Sequence, residues 1–170
     1  MRKIVLVLAG AAGLAAAASN AVAATTTTTF AVTATVNANC LVAANALAFG
    51  TYAAGGGNVD VSSTLSVRCT KNTAYTVALN AGTTTGGTLA QRLMGNGTDT
   101  LQYNLYTSAA RTTVWGDGTA SSATVPGTGA GLAAGNAVTH TVYGRLTDSA
   151  ANQAASAGSY SDTITVTVTY

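Results

Sequence analysis

Glutamate is missing altogether from this chain of 170 residues, and charged residues of every kind amount to 7% of it. Good helix formers are few, which argues against a helical protein. There is one histidine, His140, one tryptophan, Trp115, and one proline, Pro126. A Ser-His-Asp triad would have to recruit His140, yet no nucleophile-elbow sequence is present, and alternation puts His140 in a strand. His140 therefore reads as structural. Cysteine is confined to Cys40 and Cys69. With no CxxC spacing and no clustered histidine, they do not make a redox or metal centre, and no cofactor is expected. Positive charge is also scarce. Arg2 and Lys3 belong to an N-terminal leader, and the remaining basic residues (Arg68, Lys71, Arg92, Arg111, Arg145) equal the five aspartates. The whole-chain pI of 8.7 overstates the case. No basic patch remains for nucleic acid or an acidic membrane surface.

The leader is the first thing that is present. Arg2 and Lys3 precede an apolar run from Ile4 to Ala18, and Ala21-Val22-Ala23 offers small residues at the positions a signal peptidase reads. Residues 1–23 thus read as a secretory signal, too short and too rich in Ala and Gly for a membrane anchor. About 147 residues follow, the size of one domain. Thr, Ala, Gly, Val and Ser dominate them, a composition for half-buried strands joined by glycine turns. Low charge means weak self-repulsion, which suits a protein packed among copies of itself.

Two cysteines behind a secretion signal read as a disulfide between Cys40 and Cys69, formed in an oxidising compartment. Closing a loop of about 29 residues would contribute roughly 3 kcal/mol. Phe30, Val32, Ala34, Val36, Ala38 and Cys40 alternate strictly, so the sequence predicts a first strand that ends at the disulfide. Val59, Val61, Leu65, Val67 and Cys69 share one parity and predict a long second strand beside the first. Further strands are expected at Ala74 to Asn80, Leu89 to Met94, Leu101 to Thr107, Thr113 to Trp115 and Val138 to Leu146. The Gly95-Asn96-Gly97 turn makes a hairpin of Leu89 to Met94 and Leu101 to Thr107. Pro126 is read as opening a Gly-rich loop, and Asp148 to Gly158 as a polar loop. About eight short strands at this spacing predict an all-β sandwich.

The last stretch, Ser161 to Tyr170, is a strand by the same rule. Ile164, Val166, Val168 and Tyr170 fall on one face and Thr163, Thr165, Thr167 and Thr169 on the other. No further strand follows to cover its free edge. A long apolar edge invites another chain to pair with it.

Several segments together resemble the spore coat U family, which includes subunits of archaic chaperone-usher pili. They are LAFGTY (Leu47 to Tyr52), VSSTLSVRC (Val61 to Cys69), LQYNLYTSAARTTVWGDG (Leu101 to Gly118), HTVYGRL (His140 to Leu146) and AGSYSDTITVTVTY (Ala157 to Tyr170). The resemblance spans Phe30 to Tyr170. It implies an incomplete immunoglobulin-like sandwich that lacks its last strand and is completed by a donor strand. A periplasmic chaperone would lend that strand first and an outer-membrane usher would exchange it. The N-terminal segment of another copy, or of another pilus subunit, would finally fill the groove. Phe30, Val32, Ala34 and Val36 would be the donor residues. Ile164, Val166, Val168 and Tyr170 would line the acceptor groove and meet the chaperone. Residues 24–38 are then a donor segment or first strand, and residues 39–170 the sandwich. The implied role is a secreted pilus subunit of a Gram-negative bacterium, supporting adhesion and biofilm formation. The alternative is a self-complemented secreted coat protein or surface carbohydrate-binding protein.

Other candidates read as structural. Gly129 to Ala134 matches a loose GxGxxA pattern, but no helix is expected after it. Asp99 and Asp117 stand near glycines, where aspartate is chosen for its local backbone hydrogen bonds rather than as half of a glycosidase pair. Trp115 reads as a core or rim residue. The Asn96-Gly97-Thr98 sequon matters only in a eukaryotic secreted protein. No enzymatic activity is expected.

Overall fold

The computed structural model describes residues 22–170, so the expected signal sequence falls almost entirely outside the described residues. The chain divides into two units, Met1–Thr35 and Val36–Tyr170. In the first, the described residues form no regular structure and are exposed.

The second unit holds eight strands: β1 (Cys40–Ala44), β2 (Val59–Cys69), β3 (Ala74–Leu79), β4 (Arg92–Gly95), β5 (Thr100–Tyr106), β6 (Val125–Thr128), β7 (Val138–Leu146) and β8 (Val166–Thr169). A single 3-10 turn (Ala134–Asn136) comes before β7, at the end of the stretch after which no helix is expected, and one short α-helix, α1 (Ala150–Gln153), follows β7 inside the stretch expected as a loop. The strands form a five-stranded sheet in the order β1-β2-β7-β5-β4 and a three-stranded sheet in the order β6-β3-β8. All pairings are antiparallel. Period-two patterning explains the layers. Leu65, Val67 and Cys69 of β2, Leu101, Tyr103 and Leu105 of β5, and Val142 and Leu146 of β7 are buried from one sheet. Tyr75, Val77 and Leu79 of β3 meet them from the other, in a single core cluster. Trp115 lies in this core and donates its indole N–H to the carbonyl of Val77 at 2.9 Å.

The disulfide between Cys40 and Cys69 is present and sits where β1 and β2 begin their register, Cys40 opposite Cys69. The predicted hairpin is present as β4 and β5, with Met94 opposite Leu101.

The structure departs from the sequence pattern at four places. The first strand does not run from Phe30 to Cys40: it begins at Cys40, and residues 30–39 form no strand. Alternation states that a segment suits a sheet, but a strand also needs a neighbour, and beyond Asn39 this one has none. Its last ties all run to Thr70: the Asn39 amide donates to Thr70 Oγ1 at 3.0 Å, the Asn39 carbonyl accepts from the Thr70 amide at 2.9 Å, and the Asn37 carbonyl accepts from Thr70 Oγ1 at 3.4 Å. Secondly, Pro126 does not open a loop; it lies in β6, opposite Thr76. β6 is an edge strand, where the missing N–H of proline is tolerated. Its neighbour Gly127 lies under the Tyr75 ring, which would collide with any Cβ there. Thirdly, Ser161 to Thr165 is not regular strand. Ser161 makes an isolated bridge to Gly95, and regular pairing starts at Val166. Likewise Val114 and Trp115 contribute only isolated bridges, to Tyr106 and Ala123.

Candidate functional site: an apolar cleft beside an unpaired strand

Among the described residues, β8 hydrogen-bonds to β3 and to no strand on its other side, and β1 pairs with β2 alone. Both strands therefore present a free edge. An apolar cleft of about 1080 Å³ opens into the core and takes in the end of β1 and the start of β8. Leu65, Leu79, Leu101, Leu105, Val142 and Leu146 reach it from the two sheets. Its walls are two loops, residues 45–54 after β1 and residues 155–164 before β8. The only ionisable carboxylate in its lining is Asp162.

Asp162 ties one wall to the rest of the fold. Its Oδ2 accepts from the Tyr103 hydroxyl at 2.6 Å, and its Oδ1 accepts from the amides of Thr83 and Thr84 at 2.8 and 3.0 Å and from both threonine hydroxyls. Burial works to raise the Asp162 pKa, but these donors outweigh it and hold the carboxyl below the usual range. The Tyr103 hydroxyl is pushed up, by burial first and then by the carboxylate it meets. The same wall is held by Asn152, fully buried, which bonds the Gln102 backbone on both sides and the Thr147 carbonyl. Asp99 adds a bond from the Ser156 amide at 3.0 Å.

Deeper between the sheets lies Arg92, with no exposed surface. Its guanidinium donates to the Asn80 carbonyl at 2.9 and 2.8 Å, to the Trp115 carbonyl at 2.7 Å and to Asn104 Oδ1 at 2.6 Å. Among the described residues, no carboxylate forms an ion pair with it. Desolvation draws its pKa down. Sequence reasoning singled out none of Arg92, Asn152 and Asp162, because their partners come from loops and carbonyls that no motif announces.

The residues expected to act stand as follows. Ile164 and Val166 line the cleft. Val168 is half-buried and packs against the core, while Tyr170 is 56% exposed. Phe30, Val32 and Val36 are exposed at 84%, 83% and 81%, and Ala34 is exposed between them. His140 lies away from the cleft, its Nε2 within 3.0 Å of the Tyr75 hydroxyl and its ring edge-on to Tyr75 and Trp115. Asp117 caps its own turn through the amide and hydroxyl of Thr119. Gly129 is packed against β2, where a Cβ would come within 2.7 Å of the Cys69 carbonyl oxygen. Among the described residues, no group of three or more His, Cys, Asp or Glu comes together to hold a metal, and no helix is long and apolar enough to cross a membrane.

A two-sheet antiparallel sandwich with an open slot at one edge defines an incomplete immunoglobulin-like β-sandwich. Residues 26–167 match the Spore Coat Protein U domain, and the chain belongs to that family. No curated protein matches it. Among solved structures it is similar to a chain in the CsuC-CsuE chaperone-tip adhesion subunit pre-assembly complex from the archaic chaperone-usher Csu pili of Acinetobacter baumannii. The identity is 25% and the TM-score 0.55, over 80% of this chain. The match spans 41% of that longer chain.

Proposed function

We propose that this protein is a structural subunit of a surface pilus assembled by the chaperone-usher pathway, and that subunits join by donor-strand exchange. The observation that carries the reading is the pairing of two incomplete parts in one chain: an open apolar cleft with unpaired strand edges, and an exposed, alternating, uncharged segment from Phe30 to Val36. Each supplies what the other lacks. The similarity to a pilus subunit in a pre-assembly complex with its chaperone supports the same reading.

In this scheme residues 1–23 direct export, and a periplasmic chaperone fills the cleft beside β8. An outer-membrane usher then exchanges the chaperone for residues 24–38 of another copy or of another pilus subunit. Phe30, Val32, Ala34 and Val36 enter the neighbour's cleft against Ile164 and Val166, with Val168 and Tyr170 flanking the site of chaperone contact. Burying the larger donor side chains stabilises the joint by roughly 1.5 to 3 kcal/mol each, before main-chain bonds are counted. The assembled fibre would sit on the cell surface and serve adhesion and biofilm formation.

Val32→Asp tests this reading. An unpaired carboxylate forced into the cleft costs several kcal/mol. Polymers should disappear while the chaperone-bound monomer still accumulates, because the cleft itself is unchanged. Self-complementation, in which the segment fills its own cleft, predicts instead that the same change unfolds the monomer. Heat-stable fibres formed by Val32→Asp as well as by the parent would refute the donor role of this segment.

A further inference from the structure

The two walls of the cleft are held differently. The wall before β8 is anchored in its middle, with the Ser156 amide bonded to Asp99 and Ser161 and Gly95 exchanging both backbone bonds at 2.9 and 3.0 Å, in addition to the Asp162 contacts. The wall after β1 is tied only at its ends. At one end the Asn45 amide donates to the Thr64 carbonyl at 2.9 Å, and the Ser63 hydroxyl donates to the Ala46 carbonyl at 2.9 Å. At the other end a single carboxylate, Asp148, itself held by the Gln153 side-chain amide at 3.2 Å, gathers three donors from this stretch. They are the Tyr52 hydroxyl at 2.5 Å, the Gly55 amide at 3.0 Å and the Gly57 amide at 2.8 Å. Between these ties, the backbone groups of Leu47, Ala48, Phe49, Gly50 and Thr51 bond to no described residue, and all five residues line the cleft.

This strap has the character of a waiting strand. Leu47 and Phe49 are half-buried and alternate with exposed Ala48, up to a left-handed bend at Gly50 (φ 72°). Its side chains rest on Gly144 of β7, where an added Cβ would lie 3.0 to 3.1 Å from Leu47 and Phe49. The Phe49 ring meets Tyr103 edge-on with centroids 5.8 Å apart. Side-chain packing therefore fixes its position, while its backbone stays free to bond. Backbone groups that become buried need partners. An entering strand would supply them.

We infer that Asp148 is a positioning residue for the cleft: by latching Tyr52, Gly55 and Gly57 it holds residues 47–49 as a ready-made pairing edge for the entering strand, on the side of the cleft away from β8. The inference rests on the strand-acceptor reading above and adds to it the stretch that continues the β1 edge and the residue that sets it. Pre-organisation is the physical advantage, since the strap need not be ordered at the moment of binding. The Tyr52 hydrogen bond, with the Gly57 and Gly55 amides, holds the Asp148 carboxyl at about 2, so the latch stays ionised at any pH the protein meets near neutrality.

Hydrogen exchange measured by mass spectrometry on the purified chain, with and without a synthetic peptide of its residues 28–38, reads the strap directly. In the parent, the amides of 47–49 should exchange freely and become protected when peptide enters, together with those of β8. Asp148→Ala should lose protection at 47–49, keep it at β8, and bind peptide about 10-fold more weakly, the effect of a few misplaced backbone bonds. Asp60→Asn, which alters a carboxylate outside the cleft, should behave as the parent. If Asp148→Ala does not fold by near-ultraviolet circular dichroism, Tyr52→Phe carries the test, since it removes one hydroxyl and should weaken binding about threefold. Protection at β8 without protection at 47–49 in the parent overturns this inference alone. Unchanged affinity and protection in the latch variants do the same. A parent that gains no protection anywhere overturns the acceptor reading and this inference with it.

Discussion

Arg92 is the residue on which the interior most depends. It is a buried cation whose partners are all neutral oxygens, drawn from Asn80, Asn104 and Trp115. Removing it would leave those acceptors dry and unpaired, and each such group costs about 1 to 3 kcal/mol. Arg92→Ala should therefore lower the unfolding free energy by about 3 kcal/mol or more, read from urea denaturation. Arg92→Lys should not rescue it, because an ammonium cannot span the three sites that the planar fork reaches. Nothing in the sequence points to this role. Arg92 stands in a short apolar run, and its residue type reveals a charge but not the ring of carbonyls that three separate segments fold around it.

Among the elements, β1 and β2 are the pair whose union the sequence makes plain and whose limits it does not. The cysteines and the shared parity of Val59 to Cys69 locate the disulfide and the long strand correctly, because both depend on local pattern and on a single covalent partner. The start of β1 lies ten residues later than alternation suggests, since Phe30 to Asn39 has strand chemistry but no strand to lie against within its own fold. The edge strand β6 was hidden for the opposite reason. Pro126 and Gly127 look like loop residues until the Tyr75 ring and a free edge make room for them. Alternation in the sequence marks Ile164 and Val166, which line the cleft, whereas the cleft's other wall and the aspartates that hold both walls depend on loop contacts. The disulfide carries its own prediction. Replacing both cysteines by serine should reduce stability by about 3 kcal/mol by the loop-entropy argument, with the same loss seen when the parent is unfolded in urea with a reductant.

For the whole molecule, the uneven use of charge sets the response to acid. His140 is held below its ordinary value by burial. Because the folded form resists the proton that the unfolded chain accepts, stability is unaffected above about pH 6.5 and falls as the pH drops below that value. The aspartates add a second window. Asp60 is held low by Arg145, Asp99 by Ser156, Asp117 by Thr119 and Asp148 chiefly by Tyr52, and Asp162 is also held low despite its burial. Their stabilisation is present above the ordinary carboxylate value of 3.8 and is lost as the pH falls through their lowered values, for Asp148 about 2. Urea midpoints measured against pH should thus show a shallow decline from pH 6.5 and a steep one below 4, and His140→Gln should flatten the first while sparing the second. The same scarcity of charge marks the exposed N-terminal segment. From Val22 to Val67 there is neither lysine nor arginine, so the segment that stands open to water, and the strap that follows it, contain no bond that a trypsin-like protease can cut. If that segment waits in the open for a partner, as proposed above, it does so without offering a cleavage point to one of the commonest classes of digestive enzyme.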